Sequence, residues 1–392
     1  MDAVIVGAGL AGASAAWHLA RSEGARAGHD VVLLEQFELG HPHGSSHGSS
    51  RIFRRAYPDP FYVDLTGRAE LYWEILEDER RVAGHSTGGS GEPDPLRTFT
   101  GGLDTGDTRD LPQMRDLLWD AGVPAEIIPP EAVTERWPGV RVDEPALYHR
   151  DAGYLNSDET VVSMVRLAES HGAQVRTGVT VEHLELSGEK VRVHTSTGEI
   201  WLAGAVVLAI GGWLPELAGQ LPVSVRMPQL QVKQQEVFHF RQKDPAEVFP
   251  TVVHKGTEAA RHGKTAQLGG QFYTLGSGSD GGPAPAMKVA QYDSETYTSA
   301  SGRDGTIDSR AREAVLDYLT CHLPGLEEHP VAEASCLFTM TPNSDFIIDK
   351  AGPVVVASPC SGHGAKFAPL LGRLIADVVD GAPPLPRFRF RA

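Results

Sequence analysis

The first thirty-five residues constrain this chain more than any other stretch. "DAVIVGAGLAGASAAWHLA" gives a short apolar strand, Ala3 to Val6, then a glycine turn and an alanine-rich helix. "HDVVLLEQ" follows as a second strand ending at Glu35. This is the β-α-β dinucleotide fingerprint, with Gly7, Gly9 and Gly12 as its G-x-G-x-x-G and an acid closing the next strand. Gly7 makes the tight turn, Gly9 admits a pyrophosphate to the backbone, and Gly12 lets helix and strand touch. The helix N-terminus offers amide donors and positive dipole to phosphate, and Glu35 is placed to accept from ribose hydroxyls. The fingerprint alone does not separate NAD from FAD.

The remaining composition narrows the partners. A chain of 392 residues suits two packed domains. Its net charge of −16 argues against nucleic acid or an anionic membrane surface as partner. The apolar N-terminus lacks a basic flank and is explained by the buried strand, and no run of eighteen apolar residues exists. Three cysteines, Cys321, Cys336 and Cys360, do not describe a disulfide framework, so a cytoplasmic protein is expected. Within this acidic chain "SSHGSSRIFRRAY" concentrates His47, Arg51, Arg54 and Arg55. A local basic cluster needs a local anion.

Further along, "RRVAGHSTGGSGEPDPLRTFTGGLDTGDTRD" reads as a surface excursion, mobile at its tip. "DAGYLNSDETVVSMVRLAESHGAQVRTGVTVEHLEL" returns to helix then strand, with Val175 expected against the nucleotide. "KVRVHTSTGEIWLAGAVVLAIGGW" is a hairpin followed by an apolar strand ending in Gly211 and Gly212, where a ligand can approach the backbone. Alternation in "QVKQQEVFHF" predicts an antiparallel sheet over Met227 to Tyr292, and a helix is expected near Arg310–Leu323. The expected fold is α/β, a Rossmann-like, glutathione-reductase-type FAD domain (1–90, 151–222 and 334–392). It is interleaved with an α+β substrate domain (91–150 and 223–333) that carries the antiparallel sheet.

Four segments, "VIVGAGLAGASAAWHLA", "GSSHGSSRIFRRAY", "CLFTMTPNSDFIID" and "SGHGAKF", resemble the monomeric sarcosine oxidase family of flavoproteins, and the likeness spans nearly the whole chain. The C-x-x-T-x-T-P-x-x-x-F-x-I-D run is the most specific, together with "SGHGAKF". The resemblance implies FAD, oxidation of a C–N bond by hydride transfer to flavin N5, and reoxidation by O2 to hydrogen peroxide. It implies that Cys336 links the flavin through its 8α-methyl carbon, which asks for a thiolate helped by nearby cations; a small buried core cysteine is the alternative. His47, Arg51 and Arg54 match the family's H-x-x-x-R-x-x-R. Arg54 would then bind a substrate carboxylate through its planar fork, with Lys366 as partner. Arg51 and His47 would favour negative charge on the reduced ring; interdomain salt bridging is the alternative for these residues. Gly362, His363 and Gly364 would face the flavin from the start of a helix, whose dipole suits charge gathering at N1–C2. Lys288 matches the lysine that activates oxygen, although the loop before it is longer than the family usually carries, and a surface lysine is the alternative.

Departures from the family bear on substrate. Tyr292 stands where many members have histidine, Phe338 where sarcosine oxidases have tyrosine, and Tyr273 fills the other pocket-tyrosine position. A pocket that loses polar partners loses its original substrate strongly. The expected substrate is therefore an N-methyl or cyclic secondary amino acid bearing a carboxylate, with O2 as co-substrate and a monomeric enzyme. A tailoring flavoenzyme that desaturates or aromatises a cyclic imino acid is the first alternative. An NAD(P)H-dependent flavin monooxygenase is the next, and it lacks a second nucleotide fingerprint.

Overall fold

The computed structural model describes residues 1–21, 28–84, 95–256, 270–292 and 296–390. The tip of the Gly/Ser-rich excursion, 85–94, lies outside them.

The fingerprint strand Ala3–Val6 sits inside a six-stranded sheet. It pairs in parallel with Val31–Leu34 on one side and Ala205–Leu208 on the other. Gln174–Arg176 and Val354–Ser358 extend the parallel set, and Ile347–Ala351 closes one edge antiparallel. A parallel sheet is covered on both faces, which is why its strands read as unbroken apolar runs; Ala3–Val6 and Val31–Leu34 are buried at every position. One face packs on the helices Leu10–Ala20, Ser157–Ser170 and Ala368–Val379. The other face meets a three-stranded meander, Val181–Ser187, Lys190–Thr195 and Ile200–Ala203, whose last two strands are the expected hairpin.

The second sheet has eight strands, in the order Leu326–Met340, Gln231–Gln242, Ala286–Gln291, Gln271–Gly276, Thr251–Lys255, Gly102–Thr105, Ala146–His149 and Glu126–Ile128. Its longest strand, Leu326–Met340, is paired along its length with Gln231–Gln242. It therefore runs unbroken through the boundary expected at 333/334 and carries Cys336 and Phe338 on the large sheet. The Gln231–Gln242 strand is buried on both faces from Val232 to Phe240, not half exposed as alternation predicts. Its polar side chains bond inward instead, with Gln234 Nε2 donating to Glu236 Oε1 (2.8 Å) and His239 Nδ1 2.9 Å from Ser277 Oγ. The helix expected near Arg310–Leu323 spans Ser309–His322, capped by Asp308, and stacks Tyr318 on Phe272 of the sheet at 4.3 Å.

Candidate active site

At the nucleotide end each fingerprint glycine meets a steric demand. Gly7 has φ +95°, and a Cβ there would lie 2.6 Å from the Ala209 carbonyl oxygen. A Cβ on Gly12 would lie 1.8 Å from the Gly7 oxygen, so helix and turn touch only through glycine. At Gly9 a Cβ would meet Ser46 Oγ at 2.8 Å, and that oxygen accepts from the Leu10 amide (3.0 Å). Glu35 is buried and accepts from the amides of Ala8 (2.7 Å) and Phe37 (3.0 Å). Burial pushes its pKa up, but His41 and these amides prevail and hold it below the ordinary value, so it is a carboxylate. Gly7, Gly9, Glu35 and Ser46 line a cleft of about 420 Å³ with Val179, Val181, Gly211 and Trp213. Val175, expected here, is not among the lining residues. It pairs with Leu33 in the sheet and packs into the core on the helix-bearing face, whereas Val179 and Val181 turn to the opposite face.

A second cavity of about 440 Å³ shares Gly9, Ser45, Ser46, His47, Ala209 and Gly211 with the first, so the two form one through-going trough. At their junction His47 Nε2 is buried with no hydrogen-bond partner, and a Cβ on Gly211 (φ +50°) would meet nothing within 4 Å. A glycine cradle, an acid at one end and an orphaned polar nitrogen midway fit an extended dinucleotide such as FAD.

Arg51 is tied to its own loop. It donates to the carbonyls of Ser50 (2.8 Å), Ser45 (3.0 Å) and His47. His47 departs from the expected role. Burial, then Arg51, Arg303 and Lys288, push its pKa down to about 3, so it brings a neutral imidazole rather than a charge. Lys288 is buried, not on the surface; its Nζ donates to Ser50 O (3.0 Å) and lies 3.5 Å from Asp280 Oδ2. Burial and then Arg51 lower its pKa to about 8. Cys336 is 5 % exposed. Burial pushes its thiol up, and Arg51, Lys288 and Arg303 moderate that without reversing it. The cations expected to lower this thiol are present, yet desolvation wins.

The far end of the cavity brings together residues from both ends of the chain. Arg54 donates to Ala56 O and to Asp104 Oδ1 (3.2 Å), with its guanidinium 4.9 Å from the Tyr57 ring. Lys366 Nζ donates to His363 O (2.8 Å) and lies 5.5 Å from the same ring. Burial, then Arg54 and Lys255, push Lys366 well below the ordinary lysine pKa. His363 is neutral, pushed to about 3 by burial and then Lys366. Its Nε2 faces Ser344 O (2.9 Å), which can only accept, so Nδ1 is left to accept from Tyr57 Oη (3.2 Å).

Gly362 and Gly364 do not begin a helix as expected. Ser361 (φ 40°) and Gly362 (φ 71°) are left-handed, and the regular helix starts at Ala368 after a 3-10 turn over Ala365–Phe367. A Cβ on Gly364 would strike Pro359 O at 1.8 Å, so that glycine packs the turn. A Cβ on Gly362 would meet Phe338 at 2.9 Å and Tyr292 at 3.3 Å, whose rings are 6.1 Å apart. Tyr273 completes this wall, its phenol kept protonated by burial. Tyr57, Asp104, Arg109 and Lys255 escaped sequence reasoning. Asp104 and Arg109 lie in "GLDTGDTRD", whose composition reads only as a loop.

Comparison with known proteins follows from this geometry. Residues 2–378 match the protein family described as FAD dependent oxidoreductase. The monomeric sarcosine oxidase of Streptomyces avermitilis is 31% identical over 392 residues, covering 96% of this chain and 93% of that protein. The N-methyl-L-tryptophan oxidase of Citrobacter koseri is 27% identical, covering 98% and 95%. Among solved structures NikD, described as an unusual amino acid oxidase essential for nikkomycin biosynthesis, superposes with a TM-score of 0.82 at 25% identity, covering 100% of this chain and 97% of that one.

Proposed function

This chain belongs to the FAD dependent oxidoreductase family, among its sarcosine-oxidase-like members, and on that premise we propose that it oxidises the C–N bond of a secondary amino acid to an imine. The carrying observation is that Arg54 and Lys366 flank one ring, Tyr57, in the cavity that also holds Arg51, Lys288 and Cys336. When bound in the trough, FAD supplies the hydride acceptor, and O2 takes the two electrons onward to give H2O2.

The chain's own residues do the rest. Arg54 and Lys366 grip the substrate carboxylate and orient the amine. Tyr57, Tyr292, Phe338 and Tyr273 wall the reacting end and exclude water. A dry pocket ringed by cations favours the neutral amine, the form from which hydride leaves. Arg51 and Lys288 hold fixed positive charge where negative charge develops. Cys336 is the attachment point of the flavin, through its sulfur. The three cysteines are free, and among the described residues no helix is long and apolar enough to cross a membrane. We read the enzyme as a monomer by analogy with the monomeric sarcosine oxidases it resembles, and a cytoplasmic location remains part of the proposal.

The test is a peroxide-coupled screen of N-methyl and cyclic amino acids with the purified yellow protein. Release of H2O2 with at least one of them is expected, and Arg54→Ala should raise its KM about 10- to 100-fold while the flavin stays bound. Peroxide from none of them would sink the reading. Acid precipitation should leave the wild-type pellet yellow, and Cys336→Ala should release FAD to the supernatant; a yellow Cys336→Ala pellet would move the link elsewhere.

The packing of Phe338 and Tyr292 against Gly362 favours a second reading, stepwise desaturation of a ring substrate. Two or more H2O2 per substrate would support it, and one would not.

A further inference from the structure

One substrate carboxylate gives Arg54 and Lys366 their partner, but it leaves Arg109 unexplained. The Arg109 side chain is 6 % exposed, lines the same cavity, and comes from a segment with no assigned role. Its NH2 donates to Asp104 Oδ1 at 2.8 Å, the same oxygen that Arg54 approaches at 3.2 Å. One buried carboxylate therefore serves two neighbouring guanidinium groups. Arg109 Nε is buried and has no hydrogen-bond partner. Elsewhere on the cavity wall Lys288 has Asp280 at 3.5 Å, Arg387 has Asp59 at 2.6 Å and Asp345 at 2.7 Å, and Arg51 is held by three backbone carbonyls. Among the described residues Arg54 and Arg109 have Asp104 as their one acid, and Lys366 Nζ donates to the His363 carbonyl.

Arg54 and Arg109 carry two charges against one carboxylate, and Lys366, which burial pushes towards its neutral form, adds a third once a bound anion holds its proton, leaving an uncompensated charge of two where desolvated like charges are costly. A monocarboxylate neutralises half of that. A ligand with two carboxylates neutralises all of it, and its second group finds the unused Nε and planar fork of Arg109. Burial lowers the pKa of Arg109, Asp104 opposes that and Arg54 adds to it. Lys255, whose Nζ lies 4.3 Å from the Tyr292 ring, adds positive potential at the same end.

We propose that the substrate of this site is a secondary amino acid with a second carboxylate on its side chain, and that Arg109 is the residue that selects it. The inference rests on the oxidase reading above and narrows it.

The experiment compares N-methyl-L-aspartate and N-methyl-L-glutamate with their side-chain amides, which match them in shape and lack the charge. For the holoenzyme kcat/KM should favour the acids at least ~10-fold, chiefly through KM. Arg109→Gln should bring that ratio close to one, and Arg109→Lys should restore part of it. A second readout is equilibrium binding, followed by the visible absorption of the flavin. 2-(Methylthio)succinate, whose second carboxylate sits on the side chain, should bind wild type at least ~10-fold more tightly than its side-chain amide, and that margin should vanish in Arg109→Gln. Amides oxidised as well as acids, or equal binding of the two inhibitors by wild type, would overturn the proposal while peroxide release kept the oxidase reading. Both wild-type comparisons decide the matter even if Arg109→Gln does not fold. Absence of peroxide from any secondary amine would remove the oxidase reading and this inference with it.

Discussion

At Lys288 burial and charge work against each other in a measurable way. Burial and Arg51 lower its pKa to about 8, while Asp280 pulls it back up. The ammonium form exists below that value, so the positive charge that we propose assists oxygen reduction is full at pH 6–7 and lost as pH rises through about 8. Reoxidation of the reduced enzyme in stopped flow should therefore slow across that range. Lys288→Met should abolish the step and reduce the rate by roughly 10²–10³-fold, the cost of removing one preorganised electrostatic group. Asp280→Asn should move the step to lower pH, since it removes the anion that favours the charged lysine. A pH profile unchanged by Lys288→Met would show that the residue has no part in oxygen chemistry. Cys336 is governed by the same balance with the other outcome. Its thiol is held up by burial, and the surrounding cations act by stabilising negative charge once it forms.

Among the elements, the helix Ala368–Val379 connects the Gly362–Lys366 turn to the nucleotide half. It packs along Leu10–Ala20, and both helices are buried over most of their length. Gly372 lies in its interior, where glycine is ordinarily unfavourable by about 1 kcal/mol. A Cβ at that position would sit 2.1 Å from Ser14 Oγ and 2.4 Å from Ser14 O, so glycine is what allows the two helices to touch. Gly372→Ala should force them apart, at a cost of about 1–3 kcal/mol. The checks are a lower Tm by calorimetry and weaker flavin retention, because the displaced helix carries the Gly362–Lys366 turn. A Tm equal to wild type would mean that the contact is relieved by a small local shift. The turn is also held from the opposite side, by Trp73 Nε1 donating to Lys366 O at 2.7 Å.

Across the whole molecule, several histidines are buried in the neutral form. His149, His239 and His254 are 1 %, 1 % and 7 % exposed, and burial lowers each pKa from 6.5 to about 4. The unfolded chain therefore binds more protons than the folded one between about pH 6.5 and pH 4. Stability falls as pH is lowered through that window, by up to ~1.4 kcal/mol per pH unit for each residue. Unfolding followed by circular dichroism at a series of pH values should show this loss. His254→Leu should flatten the slope, and an unaltered slope would remove His254 from the account.

Much of the architecture was legible in the sequence because it rests on local chemistry. Gly7 and Gly12 are demanded by backbone contacts within one β-α-β unit, Glu35 by the end of its strand, and the apolar runs by burial on both faces. The motifs around Cys336, Arg51 and Arg54 carried the resemblance to sarcosine-oxidase-like flavoproteins, which implies FAD; the carboxylate grip of Arg54 is our proposal. What the tertiary structure alone decided depends on through-space proximity and on the amount of water excluded. His47 keeps its place but loses its charge because burial outweighs its intrinsic basicity. Val175 lies on the wrong face of its sheet, while Val181, six residues further on, lines the cleft. Arg109 is an ordinary loop arginine in one dimension. It becomes a candidate selector of substrate because folding sets it beside Arg54 on a single shared carboxylate, and no local pattern encodes that distance.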